Sequence, residues 1–184
     1  MAPRAYPCVV NQCAECGFDY GALEQSRLAG EITQQAALLA SITTRSSTRT
    51  LRTRSRPDVW SPLEYACHVR DVLEVQRLRV REATTTQRPV FSSMRREELL
   101  AERRYNESDP AAVAQDVVTG ATVLADLLDS LTPPEWAAEG IYNFPTTQAR
   151  SVEWIARHTV HEVVHHLRDL ELGCRTNETT GRQR

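Results

Sequence analysis

The chain of 184 residues is long enough to form one domain with a sizeable hydrophobic core. Its 41% hydrophobic and 25% charged residues are typical of a soluble globular protein, and a formal net charge of −2 gives no electrostatic reason to expect nucleic-acid binding. No apolar run approaches the roughly 20 residues that span a bilayer, and the N-terminus lacks the apolar core of a signal peptide. We therefore expect a cytoplasmic protein without a membrane or nucleic-acid partner.

Residues 1–20 form a leader that carries three of the five cysteines. Cys13 and Cys16 are separated by two residues, and Gly17 follows them. This pattern resembles half of a zinc knuckle, where glycine lets the turn pass close to the metal. Cys8 could supply a third ligand of a structural zinc, and no fourth is obvious. In a reducing compartment this spacing favours thiols or a metal site over disulfides. The alternative is an ordered turn with free thiols.

The first half of the chain predicts two long helices. Apolar residues at helical spacing place the first helix at residues 22–43. Residues 44–58 are rich in Ser, Thr and Arg and contain a proline, so we expect an exposed loop there. A second helix is predicted over residues 62–83, because Ser61 is a good N-cap and Glu64 completes a capping box with it.

The second half predicts two further helices joined by loops. The connection 84–109 contains a short helical piece near residues 94–104, and a third long helix is expected over 110–131, before a Pro-Pro pair. An aromatic-rich loop then covers residues 135–150, and the pattern shows no convincing strand.

The fourth predicted helix, residues 151–172, carries four of the five histidines. Gly173 is a plausible residue to end it, and residues 174–184 are expected to form a flexible, disordered tail. The domain organisation is therefore a leader over residues 1–20, a helical domain over 21–173, and this tail.

Helical periodicity sorts the polar residues of the fourth helix onto two flanks. One face forms an apolar stripe made of Val152, Ala156, Val160, Val163, Leu167 and Leu170. Glu162 and His166 are four residues apart and border this stripe, so they should face inward, one above the other. His161 and His165 have the same spacing but are expected to project into solvent, and His158 is also expected to be exposed.

Four long helices with a long crossover between the second and third describe an all-α four-helix bundle. Metal sites in such bundles are built from inward side chains of facing helices. If the second and fourth helices run antiparallel, His68 can meet Glu162 and His166. Two imidazoles and one carboxylate leave the open positions that a catalytic divalent metal needs. The alternative register uses His161 and His165.

These residues resemble the DinB-like (YfiT-like) metal-dependent bundles, which include mycothiol-dependent maleylpyruvate isomerases and bacillithiol S-transferases. The resemblance covers about residues 22–173, and its carriers are WSPLEYACH, which ends at His68, and EVVHHLRD, which begins at Glu162. The second segment looks like the isomerase version, in which a glutamate replaces the first histidine. The resemblance implies that His68, Glu162 and His166 bind zinc or nickel. The cysteines of the leader depart from the simplest members.

The resemblance also implies a function. Its members use a low-molecular-weight thiol such as mycothiol, so we expect S-transfer to, or isomerisation of, a small electrophilic metabolite. Alternatives are a Lewis-acid metalloenzyme of a biosynthetic pathway that needs no thiol, and a non-catalytic metal-binding stress-response protein. Family members often pair, which makes a homodimer an expectation. The pattern identifies no catalytic base.

Other polar residues near the predicted site each have two interpretations. Asp169 and Asp71 could orient a ligand imidazole or could be solvent-facing carboxylates. Arg157 and Arg168 could bind a substrate carboxylate or could be ordinary surface arginines. The remaining candidates are interpreted as core packing: Trp60, Cys67 and Trp154.

Overall fold

The computed structural model describes residues 12–143 and 146–181. Within these ranges the chain forms seven α-helices and one antiparallel two-stranded sheet. The helices are α1 (Leu28–Arg45), α2 (Thr48–Arg52), α3 (Pro62–Thr85), α4 (Arg96–Glu102), α5 (Pro110–Asp129), α6 (Pro133–Trp136) and α7 (Val152–Gly181). The strands are β1 (Glu139–Tyr142) and β2 (Gln148–Ser151), and short 3-10 turns cover Gln25–Arg27 and Tyr105–Glu107.

Helices α1, α3, α5 and α7 form a four-helix bundle, as predicted. Each packs against two neighbours in the cyclic order α1, α5, α3, α7. Helices α1 and α3, which follow each other along the chain, are therefore diagonal, whereas α3 and α5 are adjacent and are joined by the long connection predicted between them. The fully buried core includes Leu28, Ile32, Leu39, Leu63, Leu73, Leu124, Leu128, Ile155 and Leu170.

The start of α3 is fixed by the capping box that the sequence predicts. The Glu64 N–H donates to Ser61 Oγ at 3.2 Å, and the Ser61 N–H donates to Glu64 Oε2 at 2.7 Å. Arg54 adds two hydrogen bonds to the same buried carboxylate, at 2.6 and 2.8 Å. The Arg54 guanidinium thus compensates the charge of the Glu64 carboxylate. The capping box fixes the first residue of α3 and therefore the position of His68 along that helix.

Helix α7 is longer than predicted. Gly173 does not end it, because the helix continues to Gly181, and residues 174–181 are helical where a disordered tail was expected. Gly173 is instead a point of close approach, since a Cβ there would lie 2.9 Å from Cγ of Pro62. Asn177 then ties the extension down by donating to the Thr50 carbonyl at 2.9 Å.

Two predicted loops contain regular structure. The loop over residues 44–58 includes α2, which Ser47 caps by accepting from the Thr50 N–H at 3.1 Å. The aromatic loop over residues 135–150 includes the end of α6 and the β1–β2 hairpin, so the expectation of no strand was wrong. Each strand has only four residues, too few for an alternating pattern to stand out.

Among the described residues, α5 alone has the length and apolar composition of a membrane span, with a mean hydropathy of 1.4. It lies between α1 and α3 in the bundle and buries Val113, Val117 and Leu124 there. A core helix of this kind passes the same test, so the composition of α5 is weak support for a membrane role.

Candidate metal centre

Helices α3 and α7 bring His68, Glu162 and His166 together. Nε2 of His68 lies 3.8 Å from Glu162 Oε2, and Nε2 of His166 lies 3.7 Å from the same oxygen. The two imidazole rings meet edge to face, with centroids 4.8 Å apart. The i,i+4 spacing on α7 directs Glu162 and His166 toward α3, as helical periodicity predicts. We call these three residues the cavity cluster; its ligand atoms lie within 4.8 Å of one another.

The chemistry of the cavity cluster suits a divalent cation. Two imidazoles and one carboxylate are a donor set of catalytic zinc sites. His68 is only 3% exposed, and its Nδ1 has no hydrogen-bond partner among the described residues. Nε2, the His68 nitrogen that faces Glu162, is the atom placed to bind a metal. Burial also lowers the pKa of His68, so its imidazole is neutral and keeps a lone pair for a metal.

Negative charge is concentrated at the same point. Burial alone would raise the pKa of Glu162, but the histidines around it, including His68 and His166, hold it well below its usual range. Asp169 lies 3.0 Å from Nδ1 of His166. Burial would lower the pKa of His166, but Asp169 and Glu162 raise it to about 9. The field that stabilises an imidazolium here would also stabilise a metal cation, and Asp169 occupies an imidazole-orienting position.

Aromatic rings hold the two imidazoles in place. The Trp60 ring meets His68 edge-on at 5.3 Å, and Tyr65 stacks on His166 at 5.4 Å. Trp60, expected in the core, therefore packs directly beside the cavity cluster. Cys67 does pack in the core, and its thiol lies 3.6 Å from the Tyr105 carbonyl.

A cavity of about 890 Å³ opens on one side of the cavity cluster. His68 and Glu162 form part of its wall. Other residues of α3, residues 90–98, β1, the start of α7 and Tyr20 also line it. Its volume falls in the range of small-molecule sites. Gly140 of β1 lets the ring of Phe91 lie against the hairpin, since a Cβ there would come within 2.1 Å of that ring.

The cavity wall beside Glu162 is aromatic. Trp154 stacks on His158 at 4.7 Å, and Tyr20 of the leader donates its hydroxyl to His158 Nδ1 at 2.8 Å. Burial lowers the pKa of His158 to about 4, so its imidazole is neutral and can accept this bond. The expectation that His158 is exposed was wrong, whereas Trp154 packs against the core as expected and also faces the cavity. Both line the cavity, because the leader folds back over this part of α7.

Arg79 brings positive charge into the cavity wall. It donates to the Tyr142 hydroxyl at 3.0 Å and to the Ser92 carbonyl at 2.8 Å, and no carboxylate of residues 12–143 or 146–181 forms an ion pair with it. Arg79 was not predicted from the sequence as a site residue. The available signal is spacing, because Arg79 follows His68 by eleven residues, about three helical turns, and so shares its face.

Three polar residues considered for the site have other partners. Arg157 donates to two backbone carbonyls at the end of the leader, at 2.8 and 2.6 Å, and Arg168 donates to the carbonyl of Glu15. Neither arginine lines the cavity. Asp71 pairs with Arg70 and Arg103 at 2.8 and 3.0 Å, away from His68. The two arginines bind the leader, and Asp71 binds the connection between α3 and α5.

The other i,i+4 pair of α7, His161 and His165, faces the leader. The side chains of His161 and His165 are only 13% and 17% exposed, so the expectation that they project into solvent was wrong. Sγ of Cys13 lies 3.7 Å from His165 Nδ1. Burial would raise the pKa of Cys13, but the Cys16 backbone and His161 lower it to about 6. Cys8, the third cysteine of the leader, lies outside the described residues.

Sequence and fold together identify the family. The sequence profile of the DinB superfamily matches residues 31–170, so the chain belongs to that superfamily. The fold is similar to that of YfiT from Bacillus subtilis, described as a probable metal-dependent hydrolase with an unusual four-helix bundle topology. The two share 15% sequence identity with a TM-score of 0.70, over 82% of this chain and 89% of YfiT. No curated protein shows significant similarity to the sequence.

Proposed function

We propose that this chain is an enzyme in which His68, Glu162 and His166 bind zinc or nickel, and that it uses a low-molecular-weight thiol of the mycothiol type. The thiol would be transferred to, or would catalyse isomerisation of, a small electrophile. The observation that carries the proposal is the position of the cavity cluster, of which His68 and Glu162 lie at the wall of a cavity of about 890 Å³. A purely structural metal is normally enclosed by four protein ligands.

The residues in and around the cavity cluster have different roles in this proposal. A divalent ion, when bound, would lower the pKa of a thiol that reaches it, so that thiolate forms at neutral pH. Asp169 accepts a hydrogen bond from His166 and thereby sets the orientation of that imidazole. Trp60 packs edge-on against His68, and Tyr65 stacks on His166, so each imidazole is held against an aromatic ring.

Arg79 supports an electrophile with an anionic group. Its guanidinium lines the cavity and is held by neutral oxygen atoms of Tyr142 and Ser92. A half-buried cation whose partners are neutral is available to a substrate carboxylate, and arginine matches that group geometrically.

The experiment is a thiol-dependence screen of metal-loaded protein. Protein loaded with zinc or nickel is mixed with mycothiol or a cysteine-based thiol and a panel of α,β-unsaturated carboxylic acids, and product is followed with and without thiol. We expect turnover that needs the thiol and is lost in His68→Ala. Turnover without thiol, or unchanged turnover in His68→Ala, would overturn the proposal.

Arg79 allows a matched test of the substrate class. Arg79→Met should raise KM for a carboxylate substrate by about 10- to 100-fold, since hydrogen bonds to charged groups contribute about 1.5–3 kcal/mol. Arg77→Met is the control, because Arg77 lies on the same helix and pairs with Glu74 at 2.7 Å, away from the cavity. An equal effect of both substitutions would remove the argument for an anionic substrate.

A thiol-independent reaction is the second candidate. It is favoured by the description of YfiT as a probable metal-dependent hydrolase and by His158, whose Nε2 lies 3.6 Å from Glu162 at the cavity wall. The same screen includes esters and amides without thiol, and hydrolysis there would select it. Metal binding without any turnover would favour a non-catalytic metal-binding protein.

A further inference from the structure

We infer that the leader and α7 form a second metal site, in which Cys13, Cys16, His161 and His165 bind a zinc ion. We call these four residues the leader cluster. Their ligand atoms lie within 4.8 Å of one another. Both cysteines precede residue 31, where the match to the DinB superfamily begins, so this site is additional to the family's bundle.

The ligand set and spacing are those of a structural zinc site. Two cysteines separated by two residues and two histidines separated by three form a Cys2His2 set. Tetrahedral zinc with bonds of about 2.3 Å to sulfur and 2.0–2.1 Å to nitrogen separates these atoms by roughly 3.6 Å. The observed distance from Cys13 Sγ to His165 Nδ1 is 3.7 Å. The pair therefore has room for a shared zinc ion between its atoms.

The backbone of the leader forms a knuckle around Cys13. The Gly17 N–H donates to the Cys13 carbonyl at 2.9 Å, and the Cys13 N–H donates to the Phe18 carbonyl at 2.8 Å. Gly17 has a φ of +76°, a conformation that side chains disfavour. This turn brings the thiols of Cys13 and Cys16 to the same side, toward α7.

The histidines show an independent requirement for a ligand. Both ring nitrogens of His161 are buried without a hydrogen-bond partner among the described residues, although Nδ1 lies 3.4 Å from Glu162 Oε1. Such orphaned atoms are costly unless something binds them. Nε2 of His165 lies 3.3 Å from the Glu15 carboxylate, which leaves Nδ1 for the metal. A carboxylate behind a ligand imidazole is the usual arrangement around zinc.

The leader cluster is half-buried and adjoins the cavity, because Tyr20 contacts both. Four protein ligands leave no open position, so a zinc ion here would be structural. Phe18 and Tyr20, which follow the knuckle, pack on His161 with centroid distances of 5.6 and 5.4 Å. Zinc would therefore fix the leader on α7 and hold Tyr20 in the cavity wall, beside His158.

Metal stoichiometry is the first test. Full-length protein is loaded with zinc, desalted and analysed for metal and for thiols that react with an aromatic disulfide reagent. We expect two zinc ions per chain in wild type, one in Cys13→Ser/Cys16→Ser, and two in Cys67→Ser, which removes a cysteine outside the cluster. In wild type, Cys13 and Cys16 should react only after chelation. Unchanged zinc in the double variant, or two freely reactive leader thiols in zinc-loaded protein, would overturn the inference.

Cobalt substitution separates this inference from the proposed function. Cobalt bound by two thiolates and two imidazoles should give thiolate-to-metal charge-transfer absorption in wild type and in His166→Ala, and none in the double cysteine variant. The His166→Ala spectrum tests the leader cluster even if the cavity cluster binds no metal. If the double variant does not fold, absence of the band in wild type, or a Cys13–Cys16 disulfide in place of metal, would still overturn the site.

Discussion

Helix α7 carries two candidate metal groups on neighbouring faces, and they differ in enclosure. Glu162 and His166 meet one histidine of α3 at the wall of a cavity, whereas His161 and His165 meet two cysteines of the leader. Both pairs have i,i+4 spacing and are offset by one residue, which turns them about 100° apart. Ligand spacing is therefore the same in both groups. The difference is that one group is open to a cavity and the other is closed by a separate segment.

The carboxylate of Glu162, a member of the cavity cluster, lies between the two groups. Oε2 of Glu162 faces His68 and His166 at 3.8 and 3.7 Å, and Oε1 faces His161 at 3.4 Å. One oxygen atom can bind in the cavity cluster while the other accepts from an imidazole of the leader cluster. The leader cluster is thus placed to orient Glu162, a ligand of the cavity cluster.

The largest expected effect comes from two adjacent substitutions. His166→Ala should remove the metal of the cavity cluster and abolish turnover, because it leaves only two ligands there. His165→Ala should remove the zinc of the leader cluster and leave the cavity metal bound. Elemental analysis and cobalt spectra of both variants measure this, and loss of the same metal ion from both would merge the two sites into one.

The next effect concerns support of the ligands. Asp169→Asn should weaken metal binding by the cavity cluster by about 10- to 100-fold, since it weakens the hydrogen bond that orients His166. Asp169 also lies 3.6 Å from His165 Nε2, so a smaller effect on the leader cluster is expected. Competition against a metal-binding dye measures both affinities. Glu171→Gln is the control, because within residues 12–143 and 146–181 Glu171 pairs with Arg175 alone, at 3.8 Å; an equal loss there would contradict an orienting role.

A third prediction alters the cavity wall without touching a ligand. Gly140→Ala would force a Cβ into the Phe91 ring and should lower the free energy of unfolding by about 1–3 kcal/mol. The cysteine–histidine cobalt spectrum should not change. Gly30→Ala, at an exposed position of α1 with nothing within 4 Å, should stabilise the protein by about 0.5–1 kcal/mol. Urea denaturation measures both, and a neutral Gly140→Ala would mean that the hairpin can move away from Phe91.

The smallest effect is expected at the leader. Arg168→Ala removes the hydrogen bond to the Glu15 carbonyl and should cost about 0.5–1.5 kcal/mol in chelator-treated protein. With zinc bound, the leader is held by four ligands, so the cost should be smaller and proteolysis of residues 12–24 should stay slow. Limited proteolysis with and without chelator measures this. Equal cleavage of wild type in both conditions would mean that zinc does not hold the leader.

Helix capping and helical periodicity predicted correctly the features that depend on residues close together in sequence. Ser61 and Glu64 are three residues apart, and their capping box begins α3 where expected. Periodicity directed Glu162 and His166 inward because an i,i+4 pair shares a helix face. The same reasoning failed at Gly173, whose role depends on Pro62, a residue distant in sequence. It also failed at His158, because its exposure depends on the leader, a segment distant from α7 in sequence.

The sequence by itself determined the four-helix bundle, the start of α3 and the two i,i+4 ligand pairs of α7, because these follow from capping and from the 3.6-residue period. Only the tertiary structure decided what each pair meets. The bundle brings His68 to one pair, and the folded-back leader brings Cys13 and Cys16 to the other. Side chains more than 90 residues apart become neighbours only through packing of the whole chain. Helical periodicity can orient a side chain, but it cannot say which segment will cover it.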